Sequence, residues 1–106
     1  MFGLFSPGKV TEFARSLAQN VAQRYPPAIA NNPDQIVSQK RIVEILDQVF
    51  ARAQRFEQEN RLGLFSKLSL RSVFKQEMRE AGYEEKFANF AVEFLAARLT
   101  RSTKQP

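Results

Sequence analysis

The sequence contains no cysteine, no histidine and no tryptophan. Without cysteine there can be no disulfide and no thiolate, either as nucleophile or as metal ligand. Without histidine the commonest general base and metal-binding side chain is also missing. No apolar run approaches the roughly 18 residues that a membrane-crossing helix requires. No segment alternates with period two, and no β-branched run lies between hairpin turns, so no sheet is expected. No nucleotide, metal or catalytic motif is present. The expectation is therefore a non-enzymatic chain with no catalytic residue, metal or cofactor.

What is present is a helical pattern. The chain is 43% hydrophobic and 25% charged, and phenylalanine supplies 10 of its aromatic residues against 2 tyrosines. Phenylalanine carries no hydrogen-bonding group, so this aromatic content serves packing. The formal net charge of +5 is compatible with an anionic partner but is spread over both halves of the chain. The start, Met1-Phe-Gly-Leu-Phe, lacks the basic flank and apolar length of a signal peptide, and a cytoplasmic location is expected. One domain is expected over 1–106, with 1–8 and a polar, frayed 100–106 at its periphery.

The longest pattern runs from Asn32 to Gly63. Asn32 suits an N-cap, Pro33 the first helical position and Gln35 a capping box, while Gly63 suits the end. That predicts a helix of about 29 residues, roughly 43 Å long, against a domain diameter of roughly 33 Å. Ile36, Ile42, Val43, Ile45, Leu46, Val49, Phe50, Ala53 and Phe56 fall on one half of it, interrupted only by Glu57. A face that wide can receive two helices, so this second helix is expected to be central. Before it, Val10, Phe13, Ala14, Leu17, Ala18, Val21 and Tyr25 recur at helical spacing, ended by Pro26-Pro27, and 26–32 reads as a loop. After it, Ser66 or Ser69 is expected to cap a third helix with Leu70, Val73, Phe74, Met78 and Ala81 inward. Gly82 ends that helix, with Tyr83 folding back in a Schellman-type contact. A fourth helix opens at Glu84 or Glu85 and runs to about Leu99. It is apolar over most of its circumference and is expected to be the most buried. Ile42, Leu46, Val49, Phe50, Phe87, Phe90 and Phe94 are the expected core. The predicted architecture is all-α: a small four-helix domain, with helices three and four as a hairpin on a long central second helix.

Two surfaces stand out. Lys67, Arg71, Lys75 and Arg79, spaced by four, line one side of the third helix. As a docking edge they suit phosphates, acidic lipid or an acidic protein, with Arg98, Arg101 and Lys104 extending the field. As a plain solvated face they are partly neutralised by Glu77 and Glu80. A helix-turn-helix reading around Gly82 is disfavoured, because Glu84 and Glu85 would meet phosphates at the helix end that enters the groove. A peripheral membrane contact through the first five residues with Lys9, Arg15 and Arg24 is also disfavoured, since bundle helices carry the same stripe. The second surface is a homodimer or partner contact at Ala53, Phe56, Phe90 and Phe94. Excess helix length, the apolar fourth helix and Phe2, Phe5 and Phe65 in connecting stretches all point to it. The expected role is a protein–protein interaction or regulatory module that self-associates. The alternative is a small basic nucleic-acid-binding protein using the third helix. Gly3-Leu-Phe-Ser6 recurs as Gly63-Leu-Phe-Ser66, each ahead of a helix, which reads as shared helix-start chemistry.

Overall fold

The four apolar stripes become four long helices, with a single helical turn between the first two. The computed structural model describes residues 7–103, with side chains from 8 to 99. Phe2, Phe5, the first Gly-Leu-Phe-Ser copy and residues 104–106 lie outside this range. Among the described residues the chain is all-α: α1 (Pro7–Arg24), α2 (Pro27–Ala30), α3 (Gln39–Asn60), α4 (Leu64–Ala81) and α5 (Glu85–Thr103), without a strand.

Side-chain pairs fix the helix directions. Phe13 meets Phe56 and Arg24 meets Gln48, so α1 and α3 are antiparallel. Arg15 meets Glu77 and Tyr25 meets Tyr83, so α1 and α4 run the same way. Phe50 meets Phe94 and Gln54 meets Arg98, so α3 and α5 are parallel. The most extensive contact is α1 with α4, and the α3–α5, α4–α5 and α1–α3 contacts close the ring. Chain neighbours α3 and α4 face each other across the core, where the rings of Phe50 and Phe74 lie 5.4 Å apart. In such a ring no helix is central, which corrects the role expected for the second predicted helix, α3.

That helix is also shorter than predicted. Its 22 residues span about 33 Å, close to the diameter of a domain this size. Asn32 does not cap it. The Asn32 Oδ1 accepts from the Asp34 amide at 2.9 Å, a local turn that competes with helix formation. The cap is Ser38, whose Oγ accepts from the Arg41 amide at 3.1 Å. Ile36 and Val37 therefore lie in the connecting chain before the helix, and Ile36 is 91% exposed instead of core-facing. The far end differs as well. Arg61, not Gly63, takes the left-handed position at φ 50°, and the Leu62 amide donates back to the Glu57 carbonyl. Gly63 instead starts α4, ahead of both predicted serine caps. At the other end α5 stays helical to Thr103, past the expected stop.

The core is Leu17, Val21, Leu46, Phe50, Leu70, Phe74, Met78, Tyr83, Leu95 and their neighbours. Of the expected core, Leu46, Val49 and Phe50 are buried. Ile42, Phe87, Phe90 and Phe94 only pack against its edge. The reason lies in α5. Small Ala88 and Ala91 point inward and let neighbouring helices approach, which turns the phenylalanines to the flanks.

The α4–α5 turn is clamped from α2. Gly82 has φ 111°, and the Tyr83 amide donates to the Met78 carbonyl at 3.2 Å, completing the predicted Schellman motif. Asn31, which caps α2, donates from Nδ2 to the Gly82 carbonyl at 2.7 Å, and its Oδ1 accepts from the Glu84 amide at 3.3 Å. The segment read as a loop thus holds a helical turn that positions this clamp. Tyr83 Oη donates to the Tyr25 carbonyl at 2.5 Å, tying α1 to the same corner. Burial, with a smaller contribution from Tyr25, holds the Tyr83 hydroxyl well above the usual tyrosine range.

Candidate functional site

The outer face of α4 carries the features with chemical direction. At about 100° per residue, Leu64, Leu68, Arg71, Lys75 and Arg79 fall within about 80° of one another, while Lys67 lies about 40° nearer the buried stripe. Starting the helix at Leu64 is what places the leucines on the same line as the cations. Among the described residues, Leu64, Phe65 and Leu68 are the large apolar side chains most open to water besides Ile36, at 66%, 84% and 45% exposed. Phe65 stood out in the sequence as an aromatic in a connecting stretch; Leu64 precedes both predicted helix starts, and Leu68 precedes the later one at Ser69.

Beyond Leu68 the face becomes a shallow groove of about 520 Å³ between α4 and α5. It is lined by Leu68, Arg71, Ser72, Lys75, Gln76, Arg79 and Val92, with no carboxylate among them. The cations follow at steps of about 6 Å along the helix. They are not equivalent. Arg71 Nε is buried without a hydrogen-bond partner among the described residues. Lys75 Nζ lies 3.9 Å from Glu85 Oε2, a solvent-screened contact of little energetic weight. Arg79 Nη1 donates to the Tyr83 carbonyl at 2.9 Å and leaves the rest of its guanidinium to the groove.

Lys67 departs from the predicted docking set. Its Nζ lies 3.1 Å from the Oε2 of Glu57, the one buried charged residue in the described chain. This is a charge contact rather than an aligned hydrogen bond, and it explains how the acid that interrupts the apolar face of α3 is tolerated. Arg98 does not extend the basic field either. It pairs with Asp47 and lies 5.7 Å over the Phe94 ring. The side chains of Arg101 and Lys104 lie outside the described range.

The predicted partner contact is not one patch. Ala53 is fully buried within its own chain and offers no surface to a second molecule. Phe56 is stacked on Phe13 at 3.9 Å, with Arg52 5.3 Å from the Phe13 ring on α1. Phe90 and Phe94 remain half-buried, in a series with Phe87 along α5. A second groove of about 490 Å³ opens beside them, lined by Ala30, Val37, Gln39, Ile42, Glu84, Lys86, Phe87 and Phe90. Among the described residues no group of three or more acidic side chains is placed to hold a metal ion, and no helix is long and apolar enough to cross a membrane. No family model, curated protein or solved structure matches this chain.

Proposed function

We propose that this chain is a non-enzymatic protein-interaction module that binds an acidic, amphipathic segment of another protein along the outer face of α4. The observation that carries this reading is the stripe itself: exposed Leu64 and Leu68 lead into Arg71, Lys75 and Arg79 on one line, over a groove with no acid in its lining. A helical partner with two apolar residues followed by carboxylates every four positions matches the stripe in both period and charge. Exposed apolar side chains supply the area, and the cations set register and speed of encounter. Nucleic acid is the second reading of the same cations. It is favoured less, because aliphatic Leu64 and Leu68 have no counterpart on a phosphate backbone.

The test uses a fluorescent helical peptide carrying two leucines and then three glutamates at four-residue spacing, beside a DNA duplex and a single-stranded RNA, at several salt concentrations. Peptide binding is expected. The pair Arg71→Glu and Lys75→Glu should weaken it at least about tenfold, about 1.4 kcal/mol, with helicity by circular dichroism unchanged. No peptide binding, together with nucleic-acid binding that falls steeply with salt, would favour the second reading.

A further inference from the structure

We infer that two copies of this chain pair about a two-fold axis through the α3–α5 face, each placing Ile36 in the groove of the other. This surface shares no residue with the α4 stripe. Its groove has an apolar floor of Val37, Ile42, Phe87 and Phe90. Val37 packs against the core while Ile36, one residue earlier, stands outward at 91% exposed. A large aliphatic side chain and an apolar recess thus lie next to each other on one surface. A self-complementary interface needs just this, because each protomer must supply both the projection and the recess.

Charge supports the same occupant. The groove is bordered by Glu84 and Lys86, one of each sign. A strongly acidic or basic partner would meet a like charge there, whereas a second copy related by a two-fold axis can set Glu84 against Lys86 in both directions. The chain neighbours of this patch fit an interface edge: Gln39, Lys40 and Arg41 are exposed and polar. The contact also gives Phe90 the partner role expected from sequence, without needing the buried Ala53 or the stacked Phe56.

Sedimentation equilibrium at about 100 µM tests the pairing, since that concentration lies well above the dissociation constants of specific dimers. The wild-type chain should sediment at twice its 12.2 kDa mass. Ile36→Asp should sediment at the mass of one copy with its melting temperature unchanged, because an exposed residue outside the helices contributes little to the fold. Glu84→Lys and Lys86→Glu should each weaken association about tenfold, and the double exchange should restore it. The Arg71→Glu and Lys75→Glu pair, which tests the α4 reading, should leave the mass at two copies. A wild-type chain at one-copy mass overturns the inference. So does an Ile36→Asp variant that stays at two copies, or a double exchange that fails to restore pairing.

Discussion

At the residue scale, the buried pair of Glu57 and Lys67 shows how a single acid is absorbed. Glu57 sits on the buried side of α3 because the helix phase puts it there, between Ala53 and the turn at Arg61. Taking a carboxylate out of water costs several kcal/mol, and Lys67, reaching back from the first turns of α4, offsets that cost. Lys67→Met should therefore lower stability by about 3 kcal/mol by stranding the carboxylate. The double variant Glu57→Leu with Lys67→Met should return to within about 1 kcal/mol of wild type, or exceed it, since it replaces two desolvated charges with apolar side chains. Urea denaturation of the wild type and both variants decides this. Equal losses in the single and double variants would show that the pair does not act as a unit. The interruption by Glu57 was visible in the sequence, but its partner was not. Ten residues and a chain reversal separate them, and the spacing of Lys67 from Arg71 suggested membership of the basic edge.

At the scale of the element, the joint between α4 and α5 is held by contacts from α1 and α2. Asn31 grips both sides of the turn, and the Tyr83 hydroxyl reaches the last carbonyl after α1. That hydroxyl is a buried donor, so ionising it would place a charge against a carbonyl oxygen in a poorly solvated site. In the unfolded chain tyrosine ionises near pH 10. The folded-state value is raised, so the stability from neutral Tyr83 is fully present below about pH 10 and is lost as pH climbs toward the folded value. Burial raises Tyr25 as well, which adds a slope of the same sign. The melting temperature should accordingly be flat from pH 7 to about 9.5 and fall above pH 10. In Tyr83→Phe the whole curve should start lower, because the Tyr25 carbonyl loses its donor, but the alkaline fall should be shallower. Parallel slopes in the two proteins would contradict this account. The Schellman turn was legible from Gly82 and Tyr83, since a glycine after an apolar stripe is a local signal. The clamp was not, because nothing local links Asn31 to a turn 51 residues away.

For the molecule as a whole, the distribution of phenylalanine decides where stability resides. Phe50 and Phe74 are fully buried and meet edge to face across the core, whereas Phe87, Phe90 and Phe94 run along the flank of α5. Phe74→Ala should cost about 3–5 kcal/mol, enough to unfold much of the population. Phe90→Ala should cost only about 1–2 kcal/mol, because its ring is already partly in water and leaves no closed cavity. Thermal unfolding at a concentration low enough to dissociate any pair measures both. A Phe90→Ala loss as large as that of Phe74→Ala would place α5 deeper in the core than the structure does. The packed chain extends 49 × 29 × 19 Å, and its four-helix ring leaves two surfaces unfilled, on α4 and between α3 and α5.

The sequence by itself determined the fold class and the inward faces. Val10, Ala14, Leu17, Ala18 and Val21 of α1, and Leu70, Phe74 and Met78 of α4, are buried as their periodicity requires. Helical phase is a local property, repeated every 3.6 residues, and a stripe several turns long fixes it without reference to the rest of the chain. Helix ends were decided by close competitors: Asn32 against Ser38 for the start of α3, Arg61 against Gly63 for its end. Caps differ by about 1 kcal/mol, so tertiary contacts settle which one is used. The tertiary structure alone also decided which helices touch, and with them the candidate site. Whether Lys67 faces a partner or Glu57, and whether Phe56 is exposed or stacked on Phe13, depends on helices far apart in the chain. Amphipathic faces record that each helix has a buried side. They do not record which neighbour fills it, because apolar burial is non-directional and any stripe of matching width satisfies it.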